Sequence, residues 1–227
     1  MIVRLNDSVV EFPPYHMALN EPDGLIAVGA KLSPEWLIAA YRNGIFPWFN
    51  DDNDEILWWC PSNRAVMVPG EMKISKSLKK TLRSGKFEIK ADYNFIEIIN
   101  LCASSRNLDD TWITKNMIEA YCKLYELGIS HSIGVYEEGK LVGGLYGISI
   151  GKLFCGESMF HLSRDASKVA FHSLQKYLKE HDYDLIDCQI MNPHLKSLGV
   201  HSITREEFLI KVKINSNEST NHTKWII

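Results

Sequence analysis

The segment Phe154-Cys155-Gly156-Glu157-Ser158-Met159-Phe160 is predicted to be a buried strand that carries one charge. Bulky apolar residues stand at both of its ends, and no Lys or Arg adjoins Glu157 in the sequence. A carboxylate in such a segment needs a partner or a ligand, because burying an unpaired charge costs free energy. The segment therefore predicts one of two features at Glu157: a structural contact with a neighbouring loop, or a ligand site.

A second segment, Leu185-Ile186-Asp187-Cys188-Gln189-Ile190, has the same apolar character with polar residues inside it. Side chains two positions apart along a strand share one face of the sheet. Asp187 and Gln189 are therefore predicted to point together, and so are Glu157 and Met159.

The order of elements around these two segments predicts an α+β fold. Helices are predicted at residues 95–102, 117–127 and 165–180, and strands at 131–136, 140–148, 152–160 and 184–190. Leu127 is counted with the buried face of the second helix, which Gly128 ends. Within the middle strand of the resulting meander, Gly143-Gly144 predicts a bulge or a close backbone approach.

This order resembles the acyl-CoA N-acyltransferase (GNAT-like) fold, with a mixed, mostly antiparallel sheet. In that fold the last meander strand and the strand after the helix run parallel and splay apart, and the cleft between them holds the acyl donor and the amine. The mapping makes the two segments above neighbouring strands. The phosphate-binding loop of the acyl-CoA N-acyltransferases, Arg/Gln-x-x-Gly-x-Gly/Ala, has no match at residues 161–167. The chain therefore lacks a recognisable binding loop for coenzyme A.

Residues 1–62 are rich in aromatic residues and prolines and are predicted to form a small N-terminal domain, with residues 63–227 as the acyltransferase-like domain. Ser33 and Pro34 open a helix that Gly44 ends. Three Trp and two Phe follow within residues 46–59. They predict either a small aromatic core or a pocket wall for an apolar ligand.

A cationic helix is predicted at residues 73–83. Ile74, Leu78 and Leu82 recur every four residues on one face, and basic residues occupy the other. Such a face is either simply solvated or able to hold phosphates. The last dozen residues of the chain are polar and are predicted to fray.

Composition limits the remaining possibilities. The 227 residues are 45% hydrophobic and carry a formal net charge of -3, so any nucleic-acid contact must come from a local patch. The five cysteines are odd in number and lack CxxC spacing, which favours reduced thiols over disulfides or a zinc site. No signal-peptide pattern and no apolar run of membrane-span length is present, so a soluble cytoplasmic protein is expected.

Eight motifs in register, from about residue 10 to about residue 210, resemble those of the leucyl/phenylalanyl-tRNA protein transferases. They are Glu21-Pro22-Asp23-Gly24-Leu25-Ile26-Ala27-Val28-Gly29, Tyr41-Arg42-Asn43-Gly44-Ile45-Phe46-Pro47-Trp48-Phe49, Leu57-Trp58-Trp59-Cys60-Pro61, Thr111-Trp112-Ile113-Thr114, Leu141-Val142-Gly143-Gly144-Leu145-Tyr146-Gly147, Phe154-Cys155-Gly156-Glu157-Ser158-Met159-Phe160, Asp165-Ala166-Ser167-Lys168 and Leu185-Ile186-Asp187-Cys188-Gln189. One departure from the family pattern is His161-Leu162, where a basic residue usually follows the strand.

The resemblance implies a reaction. Leu or Phe would move from its tRNA to the N-terminal α-amine of a protein beginning with Arg or Lys, which creates a degradation signal. The partners would be leucyl-tRNA, phenylalanyl-tRNA and the acceptor protein. No coenzyme A, other cofactor or metal is implied, which agrees with the missing phosphate loop.

The resemblance also implies residue roles. Asp187 and Gln189 match the catalytic pair, and Glu157 matches the carboxylate of the acceptor site. An aminoacyl and adenine pocket is implied for Tyr41, Trp48, Trp112, Tyr121, Phe154 and Met159. Contacts with the tRNA acceptor stem are implied for Lys73, Lys76, Lys80 and Arg83.

Two other functions remain open. An acyl-CoA-dependent N-acetyltransferase is disfavoured by the absent phosphate loop and would be revealed by tight acetyl-CoA binding. A non-catalytic reader of basic N-termini or of tRNA would bind the peptide without any transfer. The sequence leaves open whether Asp187 and Gln189 act as base and relay or only position the amine.

Overall fold

The computed structural model describes residues 2–105, 112–218 and 223–227, so Thr111 of the fourth motif lies outside the described residues. Its strands are β1 (Val3–Leu5), β2 (Leu25–Gly29), β3 (Phe46–Pro47), β4 (Leu57–Trp59), β5 (Asn63–Met67), β6 (Glu88–Ala91), β7 (Ser130–Glu137), β8 (Lys140–Ile150), β9 (Leu153–His161), β10 (Leu185–Asp187) and β11 (His201–Thr204). Its helices are α1 (Pro34–Arg42), α2 (Lys76–Arg83), α3 (Phe95–Ser104), α4 (Lys115–Glu126), α5 (Ala166–Glu180), α6 (Pro193–Ser197) and α7 (Arg205–Asn215).

The strands form two sheets, with the orders β1-β2-β4-β3 and β11-β5-β10-β9-β8-β7-β6. In the second sheet every neighbouring pair is antiparallel except β9 and β10, which are parallel. The predicted α+β class, the meander and the mixed, mostly antiparallel sheet are therefore confirmed.

The splay between β9 and β10 follows from a change of hydrogen-bond partner. The two strands pair from Leu185 with Leu153 as far as Asp187 with Cys155. Beyond that point the chain stays with β5, because the Cys188 amide donates to the Ala65 carbonyl and the Ala65 amide donates to the Gln189 carbonyl. β9 is left without a neighbour on this side, and a gap opens inside the sheet.

A β-bulge lies in β9 at the charged residue of the opening segment. Tyr146 pairs with Ser158 and Gly147 pairs with Gly156, so Glu157 is the extra residue. The insertion reverses the alternation: Phe160 joins the core that holds Cys155, whereas Met159 packs with the core that holds Phe154. The prediction that Glu157 and Met159 share a face is therefore wrong.

Gly143 lies where α5 touches β8, as the double glycine predicted. A Cβ atom at Gly143 would lie 2.5 Å from the Cβ atom of Ala166, the first residue of α5. The pairing of β7 with β8 also shifts register next to it, between Val135 and Tyr136. This part of the meander thus combines the close approach and the bulge.

Two main cores cover the two faces of the larger sheet. The first core contains Trp36 and Trp58 of the N-terminal part together with Tyr121 of α4. The second core lies under α2 and α5. The proposed boundary at residues 62 and 63 falls between the two sheets, although the first core runs across it.

Two predictions of burial are wrong. Leu127 is 51% exposed, because α4 ends at Glu126 and the chain turns away at Gly128, whose φ is 69°. The predicted fraying is wrong for residues 223–227, since Trp225 is only 3% exposed, whereas residues 219–222 lie outside the described residues. The Trp225 ring stacks on His131 and on Tyr177 at centroid distances of 4.1 and 4.4 Å.

Candidate active site

A cavity of about 530 Å³ occupies the splay between β9 and β10. One half is apolar and lies between the strands and α5; it is lined by Leu145, Phe154, Met159, Phe171, Leu174, Ile186 and Leu195. The other half is aromatic and polar; it is lined by Phe46, Trp48, Trp112, Glu157, Ser158 and Gln189. Apolar walls with a few converging polar groups are typical of ligand sites.

Glu157 lines the aromatic and polar half and is 7% exposed. Tyr41 and Tyr121 each donate a hydroxyl hydrogen bond to its carboxylate, at 2.7 and 2.9 Å. Gln189 donates a third from its side-chain amide at 2.9 Å. Burial raises the pKa of Glu157 to about 7, while the hydrogen bonds from Tyr41 and Tyr121 act in the opposite direction.

Asp187 makes a different set of contacts. Both of its oxygens accept from the guanidinium of Arg64, at 2.8 Å from Nε and 2.7 Å from Nη2, and both side chains are 1% exposed. The same carboxylate accepts from the backbone amide of Gln189 at 2.8 Å. Asp187 is absent from the cavity wall, whereas Ile186, Cys188 and Gln189 line it. It contacts the cavity wall through the backbone amide of Gln189.

Apart from Asp187, the predicted catalytic and pocket residues divide into two groups. Six of them line the cavity: Trp48, Trp112, Phe154, Glu157, Met159 and Gln189. Tyr41 and Tyr121 lie behind Glu157 and hold it, and their hydroxyls are 2.6 Å apart. The aromatic segment has both predicted roles, because Trp58 is buried in the first core while Trp48 is 40% exposed and lines the cavity.

The predicted tRNA-binding residues Lys73, Lys76, Lys80 and Arg83 are all exposed, and the last three lie on α2. This helix buries Leu78 in the second core beside α5. Thr81 of α2 donates a 3.2 Å hydrogen bond to Asp165, the residue before α5. The cationic face is thus attached to the helix that forms one wall of the cavity.

The sequence reasoning missed most of the apolar half. Phe171 and Leu174 lie in a segment that was predicted to be a helix, with no cavity next to it. His161 and His194 at the cavity wall were not assigned either. Arg64 was missed entirely, since a single Arg near the start of a short strand carries no signal of its partner.

The described residues hold neither a metal-binding cluster nor a membrane-spanning helix. Residues 2–105, 112–218 and 223–227 contain no group of three or more His, Cys, Asp or Glu side chains placed to hold a metal ion. No helix in the same part of the chain has the length and apolarity that a membrane span requires.

Two family models match the chain. Residues 66–213 match the model of the leucyl/phenylalanyl-tRNA protein transferase, and residues 30–62 match that of its N-terminal domain. A leucyl/phenylalanyl-tRNA protein transferase of Idiomarina loihiensis is 50% identical over 226 residues, which is 99% of this chain and 95% of the relative. One from Pseudomonas putida KT2440 is 47% identical over the full length of both chains.

Two solved structures align with the chain at low sequence identity. L-PGS from Bacillus licheniformis aligns with a TM-score of 0.40 at 9% identity, over 74% of this chain and 54% of that chain. A GCN5-related N-acetyltransferase from Kribbella flavida aligns with a TM-score of 0.40 at 10% identity, over 74% of this chain and 60% of that chain.

Proposed function

Since this chain belongs to the leucyl/phenylalanyl-tRNA protein transferase family, we propose that it transfers Leu or Phe from an aminoacyl-tRNA to the N-terminal α-amine of a protein beginning with Arg or Lys. The product would carry a signal for degradation. The observation that carries the proposal is the position of Glu157, a buried carboxylate in the wall of a cavity that apolar and aromatic side chains also line.

The apolar half suits the side chain of the donor. Leu and Phe are both unbranched at Cβ, and a narrow entry between β9 and α5 would accept them. Val or Ile would place an extra methyl group at that entry, and one misplaced methyl group is worth roughly 1–3 kcal/mol of discrimination. Trp48 and Trp112, at the aromatic half, would stack the terminal adenine of the tRNA.

Glu157 would receive the acceptor. An N-terminal Arg or Lys brings an α-amine and a side-chain cation, and both favour a buried carboxylate. The α-amine has an ordinary pKa of roughly 7.7, so it is partly neutral at pH 7 to 8. Its nitrogen would attack the ester carbonyl carbon, Glu157 would accept the proton released from nitrogen, and the bond to the ribose oxygen would break as that oxygen takes a proton.

Gln189 and Asp187 would have unequal roles. The Gln189 amide lines the cavity and reaches Glu157, so it can touch the attacking amine. Asp187 is tied to Arg64 and to the Gln189 backbone, so we propose that it positions Gln189 rather than taking a proton from the substrate. Its direct catalytic role stays a prediction of the family resemblance.

The cationic face of α2 would hold the tRNA. Lys76, Lys80 and Arg83 are exposed on a helix that is attached to a cavity wall, and Lys73 precedes them. Phosphate contacts position a nucleic acid without reading its sequence. The choice of tRNA would then depend mainly on the amino acid that enters the cavity.

The test is to incubate the protein with radiolabelled Leu-tRNA and a peptide that begins with Arg. Label should move to the peptide, and prior RNase treatment should abolish the transfer. A peptide beginning with Asp is the matched acceptor control, and acetyl-CoA replaces the tRNA in a third reaction. Binding of the Arg peptide without transfer would support a non-catalytic reader, and modification by acetyl-CoA would support an N-acetyltransferase; either result contradicts the proposal.

A further inference from the structure

We propose that Arg64 is a positioning residue of the transfer reaction, which holds Asp187 and, through it, the turn from which Gln189 reaches Glu157. The inference rests on the proposed function for the reaction that it serves. It concerns a residue 123 positions from its partner in the sequence.

The contact between Arg64 and Asp187 is a two-point contact in a buried place. Nε and Nη2 of the guanidinium each donate to a different carboxylate oxygen, at 2.8 and 2.7 Å, and neither side chain exceeds 1% exposure. Two parallel charge-assisted hydrogen bonds fix orientation as well as distance. A lysine could supply the charge but not the planar two-point geometry.

Aromatic rings hold the guanidinium from elements on either side. The carbon Cζ of Arg64 lies 4.7 Å from the centroid of Phe46 and 4.4 Å from that of Phe208. Phe46 belongs to β3 of the small sheet and lines the cavity, and Phe208 belongs to α7. Arg64 therefore joins the N-terminal part, the large sheet and the last long helix at one point beside the cavity.

The turn at Gln189 connects Asp187 to the cavity. Gln189 has a φ of 59°, in the left-handed region that a residue other than glycine rarely adopts. Its backbone amide donates to Asp187 at 2.8 Å, and its side chain donates to Glu157 at 2.9 Å. Because this conformation is unfavourable by itself, the turn needs contacts that hold it. The carboxylate that Arg64 orients is one of them.

One nitrogen of the Arg64 guanidinium makes no hydrogen bond within the described part of the chain, whereas a purely structural arginine is expected to use all of its donors. Nη1 of Arg64 is buried and has no hydrogen-bond partner among the described residues. Arg205 offers a contrast: its Nε and Nη1 donate to the carbonyls of Pro61 and Tyr15, and its Nη2 lies 3.7 Å from Asp23. Arg205 is also buried, but none of its partners Pro61, Tyr15 and Asp23 lines the cavity. It is therefore the matched control.

The main experiment compares R64K with R205K in the transfer of Leu from tRNA to an Arg peptide. R64K should lower kcat roughly tenfold to a hundredfold, since small misplacements near reacting groups have effects of that order. Its KM for Leu-tRNA should stay within about twofold, because the donor contacts are not altered. R205K should keep kcat near the wild-type value even if its unfolding midpoint falls.

A pH profile adds a readout that a structural role would not change. Glu157 faces Tyr41 of α1 and Tyr121 of α4, and in the second sheet it faces Gln189, Asp187 and Arg64. The charge of Arg64 lowers the pKa of Glu157 and the charge of Asp187 raises it. The acid limb of kcat/KM should therefore keep its position in R64K, move to higher pH in R64M and move to lower pH in D187N.

The results distinguish the positioning role of Arg64 from the proposed transfer function. Wild-type kcat in R64K, or a loss no larger than that of R205K, would overturn the positioning role while the proposed function stands. If R64M does not fold, R64K and D187N still test the positioning role. R64K keeps the positive charge at position 64, and D187N removes only the negative charge at position 187. A wild-type protein without transfer activity would contradict the proposed function and the role of Arg64 with it.

Discussion

At the scale of single residues, Glu157 shows how one inserted position can create a site. The bulge places its carboxylate among two tyrosine hydroxyls and an amide, on the face opposite to Met159. These donors do not outweigh the cost of burial, so the pKa of Glu157 rises to about 7. A carboxylate with a pKa near the working pH can accept and release a proton readily.

The same residue is expected to make the fold less stable as the pH rises. Below pH 4.5 Glu157 is protonated in the folded and the unfolded chain, whereas above pH 7 it is ionised in both and the folded chain bears the cost of burial. A rise of the pKa from 4.5 to about 7 corresponds to about 3 kcal/mol. The free energy of unfolding of E157Q, relative to the wild type, should therefore increase by about 3 kcal/mol between pH 4.5 and pH 8.

Urea denaturation at a series of pH values measures this difference. The transfer activity of E157Q should be strongly reduced at every pH, which shows that the stabilised variant has lost function. A difference in unfolding free energy that stays constant from pH 4.5 to pH 8 would show that Glu157 does not have a raised pKa in the folded protein.

At the scale of elements, α2 packs on the second core with one face and presents basic residues to solvent on the other. Leu78 is buried against the second core and Ser75 caps the helix by accepting from the Leu78 amide at 3.1 Å. The basic residues face solvent and add little to this packing. Removing them should therefore weaken tRNA binding without unfolding the helix.

The triple variant K76A/K80A/R83A tests this face. Its KM for Leu-tRNA should rise about tenfold to a hundredfold, and the dependence of log binding constant on log salt concentration should become shallower by about 2 to 3, one unit or slightly less for each lost phosphate contact. Transfer from 3′-O-leucyl-adenosine, which has no phosphate, should be unchanged.

The pair K211A/K213A on α7 is the matched control, because it removes exposed lysines from a helix that packs elsewhere. It should leave both the KM and the salt dependence unaltered. An equal effect per removed positive charge, three in the first set and two in the second, would mean that net charge matters and not the position of α2.

At the scale of the whole molecule, the chain's last residues complete the second core. The Trp225 amide donates to Asp92 at 2.9 Å, and the same carboxylate lies 2.7 Å from Nδ1 of His131. The Trp225 ring also lies 5.6 Å from Phe154, which lines the cavity. The C-terminal segment therefore supports the wall of the site from behind.

Removal of this ring should be costly. W225A should lower the free energy of unfolding by roughly 3–5 kcal/mol, as expected for a buried Trp that is replaced by Ala. W225F should lose less, because it keeps an aromatic ring against His131 and Tyr177. Thermal and urea denaturation measure the change, with I226A as control, since Ile226 is 85% exposed. Equal stability of W225A and I226A would contradict the docked arrangement.

Much of the fold could be predicted from the sequence because it depends on local spacing. Period-two segments gave β7, β8 and β9, helical periods gave α3 and α5, and the eight motifs indicated the family. Glu157, Gln189, Trp48 and Trp112 were assigned to a site by the family resemblance, and all four line the cavity. The fold predictions rest on patterns within short stretches of chain, where side-chain spacing determines which face is buried.

The sequence by itself determined the order of the elements, the class of the fold and the residue types available for chemistry. Tertiary structure alone decided which of those residues meet in the cavity. The bulge at Glu157 reverses the pleat after it, and the pairing of residues 188 and 189 with β5 opens the gap next to β9. Arg64 donates to Asp187, which is 123 positions away in the sequence, and the Trp225 amide donates to Asp92, which is 133 positions away. Such contacts depend on the register of strands that are distant in the sequence, and the local spacing of side chains does not predict that register.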